Sequence, residues 1–241
     1  MKRSVKIIFI LFFLVGIYLV WRVFSEKIGD WTYGDFGENI PEEYPVLGMD
    51  ISHYQGEINW DQVAAMRIDD DSIQFVFIKA TEGLNLEDDR KRQNAYGARG
   101  ADIDYGFYHF FILSQSARKQ AEFFCEEIGG YNFDLRPVLD VEPDGEVVGS
   151  KLRDSVKVFL DFVHMRLQVR PIIYTYHNLY KEHLSRMNEH FWVAKYSKSC
   201  PAMSDENVII WQFSETGNVD GIGEKVDLNV AKENFFEKIS R

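Results

Sequence analysis

From residue 46 onward the chain repeats one alternation, a short run of apolar, β-branched or aromatic residues followed by a longer amphipathic stretch. Residues 46–51 precede 60–67, 75–79 precede 90–99, 105–111 precede 116–128, and 137–141 precede 152–167. Strand then helix, repeated, is the pattern of a parallel sheet covered by helices. Four further runs fit strands, at 171–176, 191–196, 208–213 and 225–229, and the segments joining them are short, with 197–207 too polar and broken for a regular helix. Pro137 and Pro171 each open their run, where a missing N–H is tolerated. Eight strand candidates with incomplete helices predict an α/β fold, an irregular TIM-like β/α barrel of about eight strands rather than a doubly wound sheet.

The amino terminus follows a different pattern. Three bases within Met1–Lys6 precede an uncharged, largely apolar stretch from Ile7 to Trp21 and then Arg22-Val23-Phe24. A basic start before an apolar run is an export signal that holds the start in the cytoplasm. No small-x-small cleavage site follows, so the expectation for 1–24 is a membrane-anchor helix rather than a removed signal peptide. Residues 25–45, rich in Gly and acids and ending with Pro41 and Pro45, read as a linker. Residues 46–241 then form one folded domain on the far side of the membrane.

Composition narrows the function classes. The 241 residues are 46% hydrophobic and 15% aromatic, enough for one large core. The formal charge of −11, with no basic stripe, excludes nucleic acid as an expected partner. Without a Gly-rich phosphate loop or a Cys/His cluster at ligand spacing, no cofactor and no metal are expected. Nothing in the sequence points to an obligate protein partner. The two cysteines, Cys125 and Cys200, fit either an extracellular disulfide or buried thiols.

The chemistry concentrates at Asp140-Val141-Glu142-Pro143, which ends an apolar run. In an extended strand, side chains at i and i+2 share a face about 6.6 Å apart, so both acids reach one substrate bond. Pro143 pushes Glu142 toward extended geometry. The other strand candidates also end in polar or aromatic residues: Asp50, then Lys79 and Glu82, then Tyr108 and His109, then Tyr174 and Tyr176, then Trp192 and Lys195, then Gln212, then Asp227 and Asn229. The carboxyl ends of the strands are where β/α barrels gather their sites. Acids from several strands, aromatic faces for sugar rings, and neither metal nor nucleophilic triad point to glycoside hydrolysis.

The stretch Gly48-Met49-Asp50-Ile51-Ser52-His53-Tyr54-Gln55-Gly56-Glu57-Ile58-Asn59-Trp60 resembles the opening motif of glycoside hydrolase family 25, the Chalaropsis-type lysozymes. In the same order, residues 75–83, Gly106-Phe107-Tyr108-His109-Phe110, Pro137-Val138-Leu139-Asp140-Val141-Glu142, and the pair Trp211-Gln212-Phe213-Ser214 and Val226-Asp227-Leu228-Asn229 resemble later blocks. The resemblance covers about 46–232. It implies a flattened, irregular β/α barrel and cleavage of the β-1,4 bond between N-acetylmuramic acid and N-acetylglucosamine in peptidoglycan glycan strands. Glu142 would be the proton donor, Asp140 would orient the substrate acetamido group or stabilise positive charge, and Asp50 and Asp227 would complete an acidic floor. Tyr108, His109, Lys79, Tyr174, Trp192, Gln212 and Asn229 are the expected substrate-binding residues. To donate, Glu142 must keep its proton, and clustered like charges favour the protonated form of the least solvated member. Two alternatives remain, a chitinase-like hydrolase, which lacks support because no longer D-x-x-D-x-D-x-E run is present, and a wall-binding module without turnover.

Overall fold

The computed structural model describes residues 40–67, 71–142, 149–196 and 205–233. Segment 1–24 and most of the linker lie outside these residues, as do Pro143 and Cys200. Among the described residues no helix is long and apolar enough to cross a membrane.

Among the described residues nine strands form one sheet: β1 (Val46–Ile51), β2 (Phe75–Glu82), β3 (Leu86–Glu87), β4 (Asp104–Phe110), β5 (Val138–Asp140), β6 (Ile172–Tyr176), β7 (Phe191–Ala194), β8 (Val208–Gly217) and β9 (Val226–Ala231). The order β1-β9-β8-β7-β6-β5-β4-β2-β3, with β1 also paired to β2, closes eight of them into a barrel and leaves β3 as a two-residue hairpin arm on β2. Helices α1 (Trp60–Ala65), α2 (Lys91–Gly100), α3 (Ala117–Ile128) and α4 (Gly149–Leu167) follow β1, the β2–β3 hairpin, β4 and β5, as the periodicity predicts. Asn59 caps α1 and Ser116 caps α3, each accepting a backbone N–H with its side chain. After β6 come a single helical turn, His177–Leu179, and a π turn, Tyr180–Leu184.

One strand departs from the expected parallel barrel. β9 runs antiparallel to both neighbours, pairing Asp50 with Asp227 on β1 and Gln212 with Asn229 on β8. Residues 218–225 are fewer than the dozen or so that a parallel crossover needs, so the chain turns back directly. Asp227 therefore reaches the barrel mouth from the amino-terminal end of its strand, not from the carboxyl end that a parallel strand would offer.

Two cores share the sheet. Outside, the strands pack against the helices through residues such as Val76, Ile78, Phe107, Phe124, Phe159 and Trp211. Inside, a second cluster of Phe75, Phe77, Leu135, Val138, Ile172, Tyr174, Trp192 and Ile210 fills the barrel. Its aromatics interlock: Phe77 stacks on Trp192 with centroids 5.0 Å apart, and Tyr174 meets Trp192 edge-on at 4.7 Å. This plug makes the lower barrel solid and confines any site to the mouth.

Gly48 faces this plug, and a Cβ there would sit 2.4 Å from the Phe75 ring. Gly48→Ala is expected to overpack the interior by about 1–3 kcal/mol, lowering Tm by about 2–12 °C in a thermal melt. An unchanged Tm would show that the Phe75 ring yields freely.

Candidate active site

Alternation along the strands decides which side chains reach the mouth, because inward positions recur every second residue. Asp50 continues the inward face of Gly48, Lys79 that of Phe77, Tyr108 that of Gly106, Asp140 that of Val138, Tyr174 that of Ile172, and Asn229 that of Asp227. These faces meet in a cleft of about 220 Å³ whose lining includes Asp50, Lys79, Tyr108, Asp140, Glu142, Tyr174, Trp192 and Asp227. Eight of the eleven side chains expected from the sequence thus share one hollow.

β5 ends at Asp140, yet the chain stays extended past it: the Val141 N–H donates to the Tyr174 carbonyl at 2.9 Å, and Thr175 Oγ1 donates to the Val141 carbonyl at 2.9 Å. Glu142 is thereby presented on the cleft side with Asp140, half-buried at the mouth. A β-bulge between Lys79 and Thr81 shifts the phase of β2, so that Lys79 and Glu82 form an ion pair at 2.7 Å.

Alternation also explains why His109 is not in the cleft. His109 follows inward-facing Tyr108 and so turns to the helix side, where it is fully buried. Its Nδ1 lies 2.7 Å from Thr81 Oγ1, its Nε2 lies 3.1 Å from Gln120 Oε1, and its ring stacks on Phe159 at 5.1 Å. Gln120 Oε1 also accepts the Ile112 N–H, which makes it an acceptor and assigns the hydrogen to His109 Nε2. Burial pushes the imidazole down to about 4. His109 is a neutral clamp between β2, β4 and α3, and its expected substrate contact is corrected accordingly.

Gln212 and Asn229 are also displaced from their expected role. Both are buried behind Asp50, and both donate to its Oδ2, Gln212 Nε2 at 2.9 Å and Asn229 Nδ2 at 2.8 Å. Conversely, Ser52, Tyr54, Gln55 and Phe110 line the cleft. Within the resemblance to the opening motif, Ser52, Tyr54 and Gln55 were visible as a block but carried no strand periodicity to mark them. A 3₁₀ turn, His53–Gln55, holds them, with Ser52 and Gln55 forming a reciprocal capping box. His53 is tied down by Asp88, whose Oδ2 accepts the His53 backbone N–H at 2.9 Å and lies 2.8 Å from Nδ1.

The electrostatics follow from crowding acids on a dry floor. Burial first, then the Asp227 carboxyl, holds Asp50 well above the usual carboxylate range, opposed by the amide N–H bonds from Asn229 and Gln212. Burial, then Glu142 and Asp50, does the same to Asp140, with Lys79 in opposition. Asp227 is pushed up to about 6 by burial, Glu215 and Glu142, while its hydrogen bond with Asp50 pulls the other way. The least solvated members of the group are therefore Asp50 and Asp140, not the half-buried Glu142 as expected from the sequence, and they take the largest burial effect. Asp140 Oδ1 is buried without a hydrogen-bond partner among the described residues. Among those residues no cluster of His, Cys, Asp and Glu suited to a metal ion occurs.

Cys125 is buried on α3, and burial pushes its thiol up to about 12, which suppresses thiolate chemistry. Its pairing with Cys200 falls outside the described residues.

A closed β/α barrel whose mouth gathers four carboxyls from three strands beside aromatic faces is the architecture of a glycoside hydrolase. Comparison with known proteins agrees: the model of the glycosyl hydrolases family 25 matches residues 49–222, and the chain belongs to that family. Asp227 and Asn229 lie just beyond the matched span and join the site through the antiparallel turn. The chain is 38% identical over 197 residues, 81% of its own length and 72% of the relative's, to the uncharacterised protein YegX of Escherichia coli O6:H1. It is 33% identical over 201 residues, 76% of this chain and 67% of the relative, to lysozyme M1 of Streptomyces globisporus. The crystal structure of a bacterial lysozyme from Streptomyces coelicolor superposes with a TM-score of 0.67 at 33% identity, covering 76% of this chain and 90% of that one.

Proposed function

We propose that this enzyme is a peptidoglycan hydrolase that cleaves the β-1,4 bond between N-acetylmuramic acid and N-acetylglucosamine. The observation that carries the reading is the shared cleft of Asp50, Asp140, Glu142 and Asp227 beside Tyr108, Tyr174 and Trp192. Glu142, at the solvent-facing edge, is the proton donor to the leaving glycosidic oxygen. Asp140, deeper and with a buried oxygen that has no partner among the described residues, accepts the substrate's acetamido N–H and opposes positive charge as the glycosidic bond breaks. A buried acceptor without a partner costs free energy until a donor arrives, so that cost is recovered when the sugar binds. Asp50 and Asp227 supply the negative floor beneath the sugar, and the aromatics supply its flat walls. Burial keeps the Tyr108 and Tyr174 hydroxyls protonated, as donors to sugar oxygens or to neighbouring amides.

Export with retention at the membrane is the cellular setting supported by the basic start and apolar run of residues 1–24. The relatives named lysozyme favour peptidoglycan over chitin. Purified peptidoglycan is expected to lose turbidity and gain reducing ends on incubation with the enzyme, and chitin is not. Turnover of chitin with intact peptidoglycan would overturn the proposal in favour of a chitinase-like enzyme.

A further inference from the structure

Gln212 and Asn229 each present an amide whose two ends are chemically distinct, and in both the orientation is fixed by the hydroxyl or indole groups that donate to the amide oxygen. Gln212 Oε1 accepts the Tyr174 hydroxyl at 2.8 Å and the Tyr196 hydroxyl at 2.9 Å. Asn229 Oδ1 accepts the Trp192 indole N–H at 2.8 Å, and an indole can only donate. Turning either amide over would set N–H against N–H or strip the tyrosine hydroxyls of their acceptor. Each amide must therefore aim its NH₂ at the same atom, Asp50 Oδ2.

An oxygen that already receives two N–H donors is a poor place for a proton. Asp50 and Asp227 are paired in register across β1 and β9 and line the same cleft, and two like charges facing each other on a dry floor favour a proton held by one of them. We propose that Gln212 and Asn229 are positioning residues that hold Oδ2 of Asp50 as a permanent acceptor, so that Oδ1 alone carries the proton of the Asp50–Asp227 pair. The floor then has one negative charge, in one place, before substrate arrives.

This rests on the hydrolase reading for its purpose but not for its existence. Among the described residues, the charged or titratable groups facing Asp50 belong to the same mouth: Asp227 from β9, Asp140 from β5 and Glu142 beyond it, Tyr108 from β4, Tyr174 from β6, and Tyr196 beyond β7. Lys79 from β2 lines the cleft as well and acts on Asp140. The side-chain amides of Gln212 and Asn229 donate to Asp50 Oδ2 at 2.9 and 2.8 Å.

The test is a carboxyl ¹³C NMR titration of Asp50 in substrate-free protein, comparing the parent with Gln212→Met and with the double variant Tyr174→Phe/Tyr196→Phe. The first removes the donor; the second leaves it in place but frees it to turn. Loss of an N–H bond to the charged form makes the acid harder to ionise, so both variants are expected to move the Asp50 midpoint up by about one pH unit. A midpoint within about 0.2 unit of the parent in a folded variant would overturn the proposal, since a merely structural role lowers Tm and leaves the midpoint in place. If Gln212→Met does not fold, the tyrosine double variant decides. Peptidoglycan turnover by Tyr196→Phe adds a second readout, an acid limb of kcat displaced to higher pH with KM within about twofold of the parent. A parent without turnover would remove the hydrolase reading alone, because the carboxyl titration uses no substrate.

Discussion

Glu142→Gln is expected to fold as the parent does and to lose peptidoglycan hydrolysis by about 10²–10⁴-fold, the contribution of a positioned general acid. The amide keeps the shape of the side chain but has no acidic proton to give to the leaving oxygen. The extended segment that presents Glu142 is held by the backbone of Val141, paired to Tyr174 and Thr175, so the substitution leaves the local geometry intact. Clearing assays with purified peptidoglycan and a thermal melt separate the two effects. Lysis at the parental rate would remove Glu142 from the chemistry.

Asp140→Asn is expected to split activity from stability. Turnover should fall by more than about tenfold, because the amide cannot answer positive charge on the reacting sugar. Stability should move the other way. The carboxyls of Asp50, Asp140 and Asp227 are all held above their ordinary range, so the folded protein binds protons more readily than the unfolded chain does. Stability from these groups is therefore greatest at low pH and is lost as pH rises from about 4, the unfolded carboxylate range. For Asp227 the loss is complete above about 6, and for the two drier acids it continues higher. Asp140→Asn removes one of these costs, and its Tm at pH 7 is expected to exceed the parent's by about 2–4 °C, with a shallower fall between about pH 5 and pH 7. A lower Tm, or turnover within tenfold of the parent, would contradict the placement of Asp140 as a strained functional acid.

The strands were legible because a buried parallel strand is a short apolar run, and residues 75–79 and 208–213 are too short for a helix and dense in β-branched and aromatic side chains. The carboxyls were legible because polar residues that end apolar runs need a purpose. His109 shows what strand-end position alone leaves out: adjacent residues on a strand face opposite ways, so Tyr108 and His109 could not both reach the cleft. Alternation from Gly106 would have assigned Tyr108 inward from sequence alone. The Lys79–Glu82 pair was not legible, since it depends on a bulge that no local residue pattern announces.

Strand direction was the other hidden variable. Lys225–Asn229 reads as a strand whichever way it runs, and only the length of the preceding connection, too short for a crossover, marks it as antiparallel. That reversal places Asp227 opposite Asp50 and Asn229 beside Gln212. The support given to Asp50 by Gln212 and Asn229 could not be read from one dimension, because its partners come from β1, β6, β7, β8 and β9 and from the residues just past β7. Ser52, Tyr54 and Gln55 escaped for a simpler reason, since a turn after β1 has no periodicity from which to infer a facing direction.

The central claim is that these acids act on the muramyl side of the glycan bond. Digestion of purified peptidoglycan, borohydride reduction of the products and mass analysis of the reduced ends measures this directly. The predicted result is N-acetylmuramic acid at every new reducing end; N-acetylglucosamine at those ends would contradict the account.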